Sequence, residues 1–159
     1  MDRNRQPSEF EEKIVQINRV SKKTKGGNKI GFSVLVVVGN KKGKVGVGLG
    51  KAPDVAAAIR KGVAVAKKHM VTVPITRDSI PFEMRVKLGA AKVMLKPAPQ
   101  GSGIIAGGAV RSVVDAAGIH NISSKVLGTN NQASNVYAAI EALRRIAQRH
   151  EKARLFAKK

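Results

Sequence analysis

The chain has 159 residues, of which 30 are Lys or Arg and 10 are Asp or Glu, so its formal net charge is +20. Apolar residues make up 43% of the sequence, which is enough for a folded core and excludes a wholly disordered basic protein. Cysteine is absent, which excludes disulfides, thiolate metal sites and a cysteine nucleophile. A compact protein of this charge repels itself unless an anion neutralises it, and nucleic acid is the usual neutralising partner.

The first part of the chain predicts three strands followed by a helix. Residues 1–12 are polar and are expected to form a flexible lead. Alternating β-branched residues predict a strand that begins at Lys13, and apolar runs predict two more over 32–38 and 44–50. Alternate glycines in the third strand leave one face of bare backbone, which a helix or RNA could approach closely. An alanine-rich amphipathic helix is predicted over 55–69.

A basic loop is predicted between the first two strands. The paired glycines Gly26 and Gly27 favour a flexible loop. They are surrounded by four lysines: Lys22, Lys23, Lys25 and Lys29. From residue 13 to residue 71 the sequence has 14 basic residues and one acid, Asp54. Flexible glycines let ammonium groups and backbone amides adapt to a phosphate backbone, so we favour nucleic-acid binding over a merely solvated loop.

The second part of the chain predicts a β-β-α-β-α unit. Its predicted elements are strands at 82–88, 91–95 and 119–127 and helices at about 109–117 and 132–150. Thr129 and Gln132 have the spacing of a capping box at the start of the last helix. Arg111 and Asp115 lie one helical turn apart and are expected to form an ion pair, with a partner-facing Arg111 as the alternative that composition does not decide.

These elements predict an α+β protein with four parts. The parts are a flexible lead at 1–12, a β-β-β-α domain at 13–76, a β-β-α-β-α domain at 77–150 and a basic tail at 151–159. Aromatic residues are only 3% of the sequence, so a bound nucleic acid would be held through its phosphates and shape rather than by base stacking.

One glycine motif raises the alternative of a nucleotide-binding enzyme. Residues 101–106 have the G-x-G-x-x-A spacing of a dinucleotide-binding turn. That motif also needs an acidic residue about twenty positions later, and residues 116–140 contain none. A nucleotide cofactor is therefore the weaker interpretation. The glycines would instead allow close backbone packing, or the following helix would contact an anion or a protein.

Three stretches together resemble the bacterial small-subunit ribosomal protein five family: 15–29, 32–51 and 101–111. The resemblance implies that the first domain is similar to a double-stranded-RNA-binding domain without its first helix. It also implies a left-handed crossover in the second domain. By the same resemblance, the protein would be a non-enzymatic constituent of cytoplasmic ribosomes. It would need no cofactor, span no membrane and form no homo-oligomer.

The resemblance also implies partners and site residues. The partners would be small-subunit rRNA and ribosomal proteins four and eight, and the protein would support translational accuracy near the head–body junction, where messenger RNA enters. The predicted RNA-binding residues are Arg19, Ser21, Lys22, Lys23, Lys25, Gly26, Gly27, Lys29 and Lys51. The predicted interface with ribosomal protein four consists of Gly103, Ile104, Ile105, Gly107, Gly108 and Arg111. A free-standing double-stranded-RNA binder remains the other alternative.

Overall fold

The computed structural model describes residues 9–157, which form two sheets and three helices. In chain order the elements are β1 (Glu11–Thr24), β2 (Gly27–Gly39), β3 (Lys44–Ala52), α1 (Val55–Lys68), β4 (Val71–Thr72), β5 (Met84–Leu88), β6 (Ala91–Pro97), β7 (Ile104–Ile105), α2 (Gly108–Ala117), β8 (Ile122–Val126) and α3 (Gln132–Phe156). The predicted α+β class is confirmed, with a helix and a sheet of four antiparallel strands in the first part and a second sheet with helices in the second. The fourth strand, β4, has two residues and follows the three predicted ones.

The first sheet has the strand order β1-β2-β3-β4, and α1 covers one of its faces. Side chains alternate between the two faces of a strand, so every second valine of β2 points toward α1. These valines form a small core with α1: Val34, Val36, Val38, Ala58, Val63 and Ala66. Asp54 begins the helix, because its carboxylate accepts a hydrogen bond from the amide of Ala57 at 3.3 Å.

The bare backbone face of β3 is covered by α1. A Cβ atom added at Gly46, Gly48 or Gly50 would overlap a backbone carbonyl oxygen of α1. The helix residues that provide these carbonyls are spaced four apart: Ala58, Gly62 and Ala66. Small residues on both sides let the helix axis approach the sheet closely. The sequence left open whether a helix or RNA approaches this glycine face, and the structure shows that helix α1 covers it.

The second sheet has the strand order β5-β6-β8-β7. Its strands pair antiparallel except for β7, which pairs parallel with β8 and is joined to it through α2. The two-residue strand β7 was not predicted, because Ile104 and Ile105 are too short a run to show alternation. Pairing of β7 with β8 makes the segment before α2 an edge of this sheet.

One apolar core joins the two sheets. The face of the first sheet opposite α1 contributes Leu35, Val37, Val45 and Val47, and these pack in the same cluster as Val113 of α2 and Leu143 of α3. The turn between β2 and β3 also closes the C-terminal end of α2. The amide of Lys41 donates to the carbonyl of Ala116 at 3.1 Å, and that of Gly43 donates to Ala117 at 2.8 Å. These bonds satisfy carbonyls that a helix end leaves unpaired.

The predicted ion pair between Arg111 and Asp115 is wrong. Asp115 pairs with Lys13 of β1, and the guanidinium of Arg111 donates to the carbonyl of Ile104 at 2.7 Å. The hydrogen bond from Lys13 is the main cause that lowers the pKa of Asp115, with the charge of Lys41 as a further cause. The spacing of one helical turn did not predict the pair here because Lys13, from β1, binds the Asp115 carboxylate instead of Arg111.

Both ends of the described chain are more regular than predicted. Strand β1 begins at Glu11, inside the predicted flexible lead, and α3 continues to Phe156, inside the predicted basic tail. Residues 1–8 of the lead and 158–159 of the tail lie outside the described residues. The capping box at Thr129 and Gln132 is also wrong, since Asn131 caps α3 by accepting from the amides of Ala133 and Ser134. None of the described helices has the length and apolar character needed to cross a membrane.

Candidate nucleic-acid interface

The predicted basic loop is a two-stranded ribbon, not a loop. The register of β1 and β2 continues to its tip, with Lys22 opposite Lys29 and Thr24 opposite Gly27. Only Lys25 and Gly26 remain unpaired as the turn. Gly27 has φ +122°, a conformation that favours glycine, and its carbonyl accepts a hydrogen bond from the Thr24 hydroxyl at 2.8 Å. Apolar alternation is missing from the ribbon because both of its faces meet solvent, so the strand signal is absent from the sequence.

Strand alternation divides the predicted RNA-binding residues between the two faces of the ribbon. Lys22 and Lys29 share the face opposite α1, and the side chains of Arg19, Ser21 and Lys23 lie on the other face. Lys25, Gly26 and Gly27 form the tip. Lys51 of β3 lies beside Ser33, which in turn pairs with Asn18. Asn18 is four residues from Lys22, so Lys51 is level with a point on β1 that lies roughly 13 Å along the strand from the lysines of the ribbon.

The positive charge of the ribbon is not neutralised within the described part of the chain. From Arg19 to Lys29 the sequence has five cations and no acid. Ion pairs between described residues involve other cations: Lys13, Lys41, Lys67, Arg85, Lys96, Arg144 and Arg145. Several acids thus pair at the junction of the sheets or on α3, and the ribbon keeps an uncompensated field that attracts a polyanion.

The glycine turn before α2 uses its amides internally. The amides of Gly101 and Gly103 both donate to Oδ1 of Asn121, at 3.1 and 3.2 Å. A dinucleotide-binding turn would instead leave such amides free for a pyrophosphate. Asn121 is a buried polar residue that sequence reasoning missed, and nothing in its immediate sequence context indicated this role. The structure therefore argues against a nucleotide site at 101–106.

The predicted protein interface lies along the edge strand β7. The structure brings four of its six residues together, because Arg111 bonds to Ile104 and both line one cleft with Ile105 and Gly107. Gly103 does not line this cleft, and Gly108 lines a different one. Ile105 is 57% exposed. An exposed apolar side chain on a free strand edge is a feature of a docking surface.

A further polar region was also missed. The segment before and into α3 brings Asn130, Gln132 and Asn135 against β1 and the start of α2, where they line a cleft of about 400 Å³. The run from Thr129 to Asn135 is rich in amide side chains and could have indicated a polar surface. The sequence analysis instead interpreted this run as a capping box.

Comparison with known proteins identifies the family. The family model for ribosomal protein S5, N-terminal domain, matches residues 10–74, and that for ribosomal protein S5, C-terminal domain, matches residues 86–155. The chain is 53% identical over 142 residues to the small ribosomal subunit protein uS5 of Synechococcus elongatus, covering 89% of this chain and 79% of the relative.

Two further relatives are similar to the chain over most of its length. It is 55% identical to the small ribosomal subunit protein uS5 of Acaryochloris marina, covering 86% of this chain and 77% of that protein. It is 50% identical to the protein of the same name from Chloroflexus aurantiacus, covering 94% of this chain and 84% of that protein. The chain therefore belongs to the ribosomal protein S5 family and is a structural component of the small ribosomal subunit rather than an enzyme.

Proposed function

We propose that the protein binds small-subunit rRNA through the ribbon formed by residues 19–29, together with Lys51. The observation that carries this proposal is a protruding ribbon with five cations and no acid. Because lysines lie on both faces and at the tip, the ribbon can contact two phosphate backbones at once. This arrangement suits insertion between RNA segments that must be held together.

A salt titration tests the ribbon. Binding of the full chain to small-subunit rRNA should weaken steeply with salt, by roughly 10³–10⁵ between 50 and 200 mM if six to ten phosphates are contacted. Replacing Lys22, Lys23 and Lys25 with Ala should reduce the log–log slope by up to about 0.9 per lost phosphate contact. The matched control replaces the exposed Lys68, Lys87 and Lys92, which removes the same charge elsewhere. Equal slopes in the two triple variants would refute specific contact by the ribbon.

The edge of β7 is proposed to face ribosomal protein four, and the protein is also proposed to contact ribosomal protein eight. Ile105 is exposed, while Arg111 holds the backbone of Ile104 in place. Ile105→Asp should abolish binding to purified ribosomal protein four without loss of stability, because the side chain packs against little of this chain. Unchanged binding would show that the partner docks elsewhere.

We also propose a role in translational accuracy near the head–body junction and the path of messenger RNA. This proposal rests on the same exposed edge of β7. The proposal needs the β7 edge to influence how the small subunit closes during decoding. Ribosomes that carry Ile105→Asp should therefore misread codons more often or less often than unmodified ribosomes in a reporter assay. Leu127→Asp is a control, since Leu127 is equally exposed at 59% but lies after β8. An unchanged error rate with Ile105→Asp would contradict the role.

A further inference from the structure

The short strand β7 has too few contacts of its own to fix its position. It consists of Ile104 and Ile105, and it pairs with β8 on one side only, as the edge strand of the second sheet. Glycines flank it on both sides: Gly101, Gly103, Gly107 and Gly108. Glycine loses more conformational freedom on ordering than any other residue, so this segment needs contacts from other elements to hold one conformation.

The side chain of Asn121 holds the turn that precedes β7. Its Oδ1 atom accepts from the amides of Gly101 and Gly103, at 3.1 and 3.2 Å, so one acceptor atom spans the turn. Both glycines have positive φ, +91° and +70°, which is the conformation that brings their amides to the same oxygen. The shape of the turn therefore depends on a single side-chain atom from outside it.

Asn121 is itself fixed by the backbone around it. Only 5% of the residue is exposed. Its amide donates to the carbonyl of Asp78, in the segment between β4 and β5, at 2.9 Å, and the amide of His120 donates to the same oxygen at 3.0 Å. On the other side, the amide of Ile122 donates to the carbonyl of Gly103 at 3.2 Å. The acceptor atom thus lies on immobilised backbone, and its position determines where the turn can lie.

A second side chain holds the strand itself. The guanidinium of Arg111, from α2, donates to the carbonyl of Ile104 at 2.7 Å. Arg111 is one of the residues predicted for the protein interface, whereas Asn121 has no predicted role in docking. The exposed Ile105 follows directly after these two contacts, so the place of its side chain on the surface depends on both of them.

We infer that Asn121 is a positioning residue for docking at the β7 edge. Because it is buried, it acts through the segment 101–105, which it holds in the conformation that presents Ile105. Without this contact the segment samples other conformations, and apparent affinity falls by the fraction that remains competent to dock. The inference rests on the proposed docking of a partner protein at this edge and adds a buried residue to it.

The test compares Asn121→Ala, which removes the acceptor, with Asn121→Asp, which keeps it, in the full chain. In Asn121→Ala the amides of Gly101 and Gly103 should exchange with deuterium roughly tenfold faster, and affinity for purified ribosomal protein four should fall by roughly tenfold, as for one or two lost hydrogen bonds. Asn121→Asp should restore most of the protection and of the affinity, because a carboxylate accepts the same two hydrogen bonds. Exchange is measured residue by residue with NMR.

Asn40→Ala is the matched control. Oδ1 of Asn40 accepts from the amides of Lys42 and Lys44, at 2.9 and 3.0 Å, in the turn that closes the C-terminal end of α2, whereas β7 precedes the start of that helix. This variant loses the same two hydrogen bonds elsewhere, so it should lower the melting temperature by a similar amount without changing affinity for ribosomal protein four. Equal losses of affinity in the two alanine variants would make Asn121 a general stabilising residue and would overturn the inference.

Two further results separate this inference from the proposed function. The salt slope of rRNA binding should be unchanged in Asn121→Ala, which shows that the variant is folded. If Ile105→Asp abolishes binding to ribosomal protein four and Asn121→Ala does not weaken it, the inference is wrong and the docking edge stands. If neither variant weakens binding, both are wrong. Unprotected amides at Gly101 and Gly103 in the unmodified chain would overturn the inference without any variant.

Discussion

Gly48→Ala should destabilise the protein by forcing α1 away from the first sheet. A Cβ at this position would overlap the carbonyl oxygen of Gly62 and lie 2.6 Å from the amide nitrogen of Ala66. Ordinary contacts of a Cβ begin at about 3.4 Å, so the helix must move by roughly 1 Å. That movement loosens the packing of α1 on Val34, Val36 and Val38.

The expected cost is about 3 kcal/mol, the upper end of the usual range for overpacking. The upper end applies because both clashing groups are backbone atoms, which no change of rotamer can relieve. For a chain of this size, each kcal/mol lowers the melting temperature by roughly 2–4 °C, so the melting temperature should fall by about 6–12 °C.

Urea unfolding followed by circular dichroism measures this change, with Gly108→Ala as the control. An alanine at Gly108 meets no atom within 4 Å and stands in the first turn of a helix, so stability should be unchanged or rise by up to about 1 kcal/mol. A Gly48→Ala variant as stable as the unmodified chain would refute the close packing of α1. The glycine face of β3 would then be open to another partner, including RNA.

Three further substitutions test other contacts by urea or thermal unfolding. Lys13 lowers the pKa of Asp115, so the contribution of this carboxylate is complete above about pH 4 and is lost as the pH falls through the lowered pKa. Asp115→Asn should cost up to about 1 kcal/mol at pH 7, and the difference should shrink as the pH is lowered from about 4 toward 2. Asp54→Ala removes the cap of α1 and should cost about 1 kcal/mol. Phe156→Ala should change stability by less than about 0.5 kcal/mol, since this ring is 78% exposed, and a larger loss would mean that the end of α3 is packed.

The sequence predicts an element well where one of its faces is buried. Residues 32–38 and the alanine-rich run after Asp54 show clear apolar patterns, and both elements form as predicted. Apolar patterning does not predict the strands at the tip of the ribbon, because polar residues lie on both faces and the sequence shows no alternation of apolar and polar residues. It also fails for the last turns of α3, because no described residue beyond Ile146 is buried and the apolar period of the helix stops there.

The candidate site shows the same division. The lysines of the ribbon were found from charge alone, since charge does not depend on knowing the fold. The polar cleft at the start of α3 was missed because Ile14, Gly108 and Asn135 are far apart in sequence and meet only when the two sheets pack together. Similarly, the role of Asn121 depends on a bond to the turn at Gly101, twenty residues away.

The apolar core shared by the two sheets has a consequence for how the chain is made. Synthesis proceeds from the N-terminus, so β2 and β3 leave the exit tunnel before α2 and α3 exist. Leu35, Val37 and Val45 then face water, although they are at most 2% exposed in the finished protein. The nascent first sheet consequently exposes an apolar, aggregation-prone surface until the last helix has been translated. A chaperone that shields this surface would protect the chain from aggregation during that interval.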